Sequence, residues 1–193
     1  VYVIADDNIN AFVAGGQRIF IHTGLLTKAH TPGEVIGVLA HESGHIAGGH
    51  LARLNNELAQ ASTERIIGML IGAAAMVGGA AAGVQGASKA GSGIMAGSQG
   101  IAQRNLLAYQ RSMEAAADQA ALKYLAATKE SPAGMLSLFE QLANNSLASL
   151  DRADPYLQSH PMPFDRIQTL QQEAKKSPYY EKADDPGLVL RLS

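Results

Sequence analysis

The chain has 193 residues, 15 Lys and Arg against 17 Asp and Glu, and a formal net charge of -2. That length suits one domain with a small appendage, a hydrophobic share of 47% excludes wholesale disorder, and the balanced charge leaves no electrostatic footprint for nucleic acid, so no nucleic-acid partner is expected. Without Cys there are no disulfides, thiol catalysis or Cys-ligated metal centres, and with no Trp and 5% aromatics the core must be aliphatic and Ala-rich.

Val1 to Ala5 reads as a strand with no leader-like segment, the expected start of a piece of a longer protein. Ala11 to Ala14 and Gln17 to His22, joined by Gly15-Gly16, read as a hairpin with a two-residue turn. Thr31-Pro32-Gly33-Glu34 opens a helix through a Thr cap, a Pro at the first helical position and a capping-box Glu; the helix is expected to reach about Ala59. Ten of the 20 Gly fall between Gly68 and Gly100, and residues 66–88 carry no charge. A helix follows over Asn105 to Ala127, another over Pro132 to Leu150, a Pro-rich loop over Asp154 to Phe164, and a last helix over Asp165 to Lys176. The expected class is α+β, mostly helical with a small antiparallel or mixed sheet. Residues 1–176 form the domain, 66–104 an insertion within it, and 177–193 a tail or linker.

His41-Glu42-Ser43-Gly44-His45 falls inside the first long helix. At about 100° per residue, His45 lies about 40° and Glu42 about 100° around the helix from His41. Two imidazoles one turn apart can share one zinc ion, and the Glu beside them can take a proton from water that the metal acidifies. A catalytic zinc needs a third protein ligand. His50 is one candidate, but the third His of the metzincin pattern would fall at Leu51, and in a continuous helix His50 points about 180° away from His41. Glu114 is the better one: Glu114 and Asp118 sit one turn apart beside Ala117 and Ala121, small enough for close approach to the first helix, where Gly48 and Gly49 offer matching room. Asp118 can then hold the second ring nitrogen of a ligand His. His160 is the third candidate. Stiffened by Pro161 and Pro163, it can stabilise an oxyanion together with Arg166, occupy the open metal position and block it, or simply pack ahead of the last helix.

With these motifs in order, the chain resembles the gluzincin peptidases that include the CAAX prenyl protease and the HtpX heat-shock protease, and is most similar to the periplasmic BepA-like members. Asn10-Ala11-Phe12 through Gly24-Leu25-Leu26, the two metal motifs, and His160-Pro161 with Arg166 carry the resemblance over about residues 1–175. It implies a zincin-like fold and one Zn2+ per chain held by His41, His45 and Glu114. It implies Glu42 as general base, Asp118 behind the ligands, and His160 and Arg166 near substrate or metal. It also implies that Asn10, Ala11, Phe12 and Val13 bind polypeptide substrate as an added strand. Such proteins usually carry a tetratricopeptide domain, so a recruiting domain is expected outside this chain, and the bacterial periplasm or cell envelope, peripheral to membrane, is the expected location.

Residues 66–84 are 19 uncharged residues, long enough to span a bilayer, yet only eight are Ile, Leu, Met or Val. This favours a helical lid or membrane-contacting plug over a true span. The leading expectation is a zinc metalloendopeptidase acting on extended or misfolded envelope proteins, latent if His160 blocks the metal. The rival is a chaperone-like or assembly-binding module with a silent zinc site.

Overall fold

Strand β1 (Tyr2–Ile4) pairs parallel with β3 (Arg18–His22), and β2 (Ala11–Ala14) pairs antiparallel with it, giving a mixed sheet of order β1-β3-β2. The computed structural model describes residues 1–148 and 155–188. Helices follow: α1 (Thr23–Lys28), α2 (Pro32–Ala47), α3 (His50–Ala81), α4 (Ala87–Ala127), α5 (Ala133–Ala148), α6 (Pro155–Ser159) and α7 (Phe164–Ala174). The chain divides into two compact units, Val1–Leu51 with Met113–Ser193, and Ala52–Ser112.

Within the first unit, alternation along the strands sends Ala11, Ile19 and Ile21 into the core, while Tyr2, Phe20 and Phe12 stack as a ladder on the other face, with ring centroids 5.3 Å apart at each step. Helix α2 lies against α5, and both bury their apolar faces in one cluster that includes Val38, Met135, Leu138, Phe139, Leu142, Tyr156 and Leu170. The core is aliphatic around Phe139 and Tyr156, as the composition requires.

Several elements depart from expectation. The hairpin turn takes three residues rather than two, because Ala14 pairs with Arg18; Gly15 and Gly16 adopt positive φ there. Thr31 makes no side-chain cap, and Glu34 instead accepts the His30 N–H at 2.7 Å and the Ser137 hydroxyl at 3.1 Å, which ties the helix start to α5. The helix expected to run to Ala59 stops at Ala47, because Gly49 takes φ 61° and α3 starts afresh at His50. The helix expected from Asn105 begins at Ala87: the Gly-rich stretch is helical despite its low propensity. The Pro-rich loop contains α6. Beyond α7 the chain packs back, with Ser131 donating to the Tyr180 carbonyl at 2.5 Å and Lys182 pairing with Glu130 at 3.0 Å. The expected helix end at Leu150 and the apolar pair Val189-Leu190 lie outside the described residues.

In the second unit, the α3 and α4 segments meet through small residues: a side-chain carbon added at Gly72 would lie 2.6 Å from the Gly91 carbonyl oxygen, and one at Gly91 2.4 Å from that of Gly72. Large apolar side chains are left outside, among them Ile66, Leu70, Ile71, Val77 and Val84. Helix α3 is long and apolar enough to cross a membrane.

Candidate metal centre

Three segments of the first unit deliver the predicted residues to one place. Helix α2 carries His41, Glu42 and His45; the C-terminal part of α4 carries Glu114 and Asp118; the turn after α6 carries His160, and α7 carries Arg166. Close approach of α2 and α4 depends on Gly44, inside the His motif itself: a side-chain carbon there would lie 2.7 Å from the Ala117 carbonyl oxygen. Gly48 and Gly49 do not supply that room, contrary to expectation. Gly48 faces the His50 ring, and Gly49 has nothing within 4 Å.

Donor atoms of His41, His45, Glu114 and His160 all lie within 4.8 Å of one another. His45 Nε2 is 3.0 Å from His41 Nε2 and 3.3 Å from Glu114 Oε1. His41 Nε2 is 3.4 Å from Glu114 Oε2, and His160 Nδ1 is 3.4 Å from His41 Nε2 and 3.2 Å from Glu114 Oε2. Ligands about 2.0–2.2 Å from a tetrahedral zinc stand about 3.3–3.6 Å apart. Three imidazole nitrogens and a carboxylate suit zinc in chemistry, and their separations, from 3.0 Å to no more than 4.8 Å, bracket that spacing.

Glu42 is fully buried, and among the described residues neither of its carboxylate oxygens accepts a hydrogen bond. The Nε2 of His160 is 3.4 Å from Glu42 Oε1. Burial pushes the Glu42 carboxyl above its ordinary range, partly offset by the charges of His160 and His41. A buried, unsatisfied carboxylate beside a cluster of metal donors is poised to accept a proton.

Outside the donor set, His41 Nδ1 stands 3.0 Å from Asp118 Oδ1. Arg166 grips both oxygens of Asp118, at 2.7 and 2.8 Å, and pairs with Glu114 at 2.8 Å. It also donates to the Pro161 carbonyl at 2.9 Å, so it ties the His160-Pro161 turn to α4. Burial opposes the charge of Asp118 and Glu114. It is outweighed by Arg166 and His41 at Asp118 and by His160 and His41 at Glu114, and both carboxyls lie below their usual range. Burial also works against a charged His41, but the carboxylates of Asp118 and Glu114 beside it, 3.0 and 3.4 Å away, raise it to about 9. Burial and then the charge on His41 push His45 down to about 2.

Sequence reasoning placed His50 on the far side of a continuous helix. The break at Gly48-Gly49 turns it back, so that it is buried with its Nδ1 3.0 Å from His45 Nδ1. The glycine pair directly before His50 was the available signal. Asn10 to Val13 lie on or next to the edge strand β2, with Ala11 and Asn10 buried or partly buried and Phe12 stacked on Phe20.

This arrangement, a helix-borne His-Glu-x-x-His pair completed by a carboxylate from a second helix, is of the metallopeptidase type. The model of peptidase family M48 matches residues 1–174, and the chain belongs to that family. Similar proteins include the putative beta-barrel assembly-enhancing protease of Vibrio cholerae serotype O1, 30% identical over 177 residues, which are 92% of this chain and 35% of that protein. The beta-barrel assembly-enhancing protease of Yersinia pestis is 27% identical over 175 residues, 91% of this chain and 34% of that protein. That of Escherichia coli K12 is 23% identical over 166 residues, 86% of this chain and 32% of that protein. The chain thus spans about a third of the length of the curated relatives it matches.

Proposed function

We propose that the chain is a zinc-dependent endopeptidase domain, held latent by His160. The observation that carries this reading is the four-donor cluster beside the buried, unsatisfied Glu42 carboxylate. His41, His45 and Glu114 are the ligands shared by latent and active forms, and His160 is a fourth donor that closes the open position a catalytic zinc requires. Bound zinc supplies a Lewis acid that acidifies water and polarises a peptide carbonyl. Glu42 takes the water proton and returns it to the departing amine nitrogen, its raised proton affinity suiting both transfers. Asp118 holds His41, and Arg166 holds Asp118, Glu114 and the His160 turn. His160, once out of the donor set, and Arg166 are the candidates to face a developing oxyanion.

Substrate joins β2 as an added strand, which suits extended or misfolded chains of any sequence. The backbone alternation supports this: the His22 N–H donates to the Asn10 carbonyl, so Asn10 and Phe12 face β3 while the N–H and C=O of Ala11 and Val13 face the free edge. The relatives' shared name, which speaks of beta-barrel assembly, supports substrates among bacterial envelope proteins and a periplasmic or envelope location, and their greater length supports recruitment by a domain outside this chain. The uncharged, outwardly apolar segment around α3 supports contact with a membrane surface, as a plug or lid element.

Glu42→Gln tests the catalytic reading. It is expected to keep one zinc per chain and to lose cleavage of an unfolded protein substrate. A variant that cleaves as well as the parent contradicts the mechanism. The presence of His160 in the donor set also favours a second reading, an assembly-binding module with a permanently silent zinc. That reading predicts no cleavage from any His160 variant.

A further inference from the structure

The two ligand histidines on α2 are built alike. Each turns Nε2 toward the shared donor cluster, and each has its Nδ1 3.0 Å from a buried group outside it: Asp118 for His41, His50 for His45. A ligand His whose remote nitrogen is held keeps one tautomer and one ring plane, and this pre-organisation is part of its affinity for the metal. We propose that His50 is the positioning residue of His45, standing behind it as Asp118 stands behind His41. The proposal rests on the reading of the cluster as a zinc site.

The local backbone is arranged around this contact. Had α2 continued, His50 would have pointed away from the cluster. Gly49 at φ 61° ends the helix, and α3 begins with His50 folded back over Gly48. A side-chain carbon at Gly48 would lie 2.1 Å from His50 Nε2, so the ring fills the space that glycine leaves. The rings of His45 and His50 meet edge to face, with centroids 4.9 Å apart and planes at 84°. With Nε2 of His45 as the ligand atom, its ring proton sits on Nδ1 and His50 Nδ1 accepts it.

Asp118 and His50 do different work. Asp118 is charged and braced by Arg166, so it strengthens His41 as a donor as well as aiming it. His50 aims His45 through its own ring nitrogen.

The test is zinc affinity, measured by competition with a chromogenic chelator, together with the visible spectrum of the cobalt-substituted protein. His50→Ala is expected to weaken zinc by about 10–100-fold and to shift the cobalt bands. His50→Asn, whose amide oxygen can take the place of Nδ1, is expected to restore both to near the parent values. Gly48→Ala keeps the His50 side chain and has a helical backbone at φ -72°, but displaces the ring. It is expected to weaken zinc as His50→Ala does, and it decides the matter if His50→Ala fails to fold. Parent affinity and an unchanged cobalt spectrum in Gly48→Ala and His50→Ala overturn the proposal. So does His50→Asn losing as much as His50→Ala, which would make the role one of packing alone. His45→Ala separates the two levels: if it binds zinc like the parent, the zinc reading itself fails. If it loses zinc while the His50 and Gly48 variants do not, only the positioning role fails.

Discussion

His160 Nε2 stands 3.4 Å from Glu42 Oε1, and the same ring turns Nδ1 to the Glu114 carboxylate at 3.2 Å. One side chain thus faces both the proposed base and the metal donors. If His160 is the latch proposed above, removing it opens a coordination position and frees the space in front of Glu42. If the closed arrangement holds about nine tenths of the molecules, His160→Ala gains about tenfold in kcat/KM on an unfolded substrate. Steady-state cleavage by the two proteins at equal zinc content checks this. A loss of activity instead assigns His160 to the oxyanion.

The proton on His41 makes zinc binding depend on pH. In the metal-free site the carboxylates of Asp118 and Glu114 overcome burial and raise this imidazole from its ordinary 6.5 to about 9. Zinc needs the neutral ring, so a proton must leave when metal enters. His45, pushed down to about 2, has none to give. Apparent zinc affinity is expected to rise about tenfold per pH unit up to about pH 9 and then level off. The same shift stabilises the metal-free fold below the ordinary imidazole range and is lost as pH rises through about 9. Calorimetric titration in two buffers of different ionisation enthalpy, expected to give about one proton released per zinc at pH 7, checks the assignment.

Most of this site is legible in the sequence because its spacings are helical. His41 with His45, and Glu114 with Asp118, are each one turn apart, and a helix brings such pairs to one face whatever surrounds them. Long-range closeness is not periodic. That Gly44, rather than Gly48 or Gly49, admits Ala117, and that Arg166 braces Asp118, depends on how helices cross. His50 was misplaced for a local reason: the prediction carried one helix through Gly48-Gly49, and a single positive φ reversed the direction of the next ring. Short elements such as α1 and α6 lack the length for a periodic signal.

Strand addition gives a backbone test. Val13 turns its N–H to the free edge of β2, so Val13→Pro removes a donor to substrate while sparing the β3 ladder, a position where proline is tolerated. KM is expected to rise about tenfold, with kcat little changed. Phe12→Pro, which faces β3, is expected to lower the melting temperature instead. If Val13→Pro leaves KM unaltered, β2 is not the substrate strand.

Membrane contact is tested on the outer face of α3. Leu70 and Ile71 are 65% and 54% exposed, so Leu70→Glu with Ile71→Glu removes no core packing. Sedimentation with phosphatidylglycerol-containing vesicles is expected for the parent and largely lost for the double variant. Equal sedimentation of both proteins, or of neither, contradicts the contact.

The most direct test is the coordination shell of the bound metal, read by X-ray absorption at the zinc edge on the zinc-loaded chain and on His160→Ala. We predict one zinc with three imidazole nitrogens and one carboxylate oxygen at about 2.0–2.2 Å in the parent, and one imidazole fewer in the variant. A parent without bound zinc, or a shell that is the same in both proteins, would contradict the account.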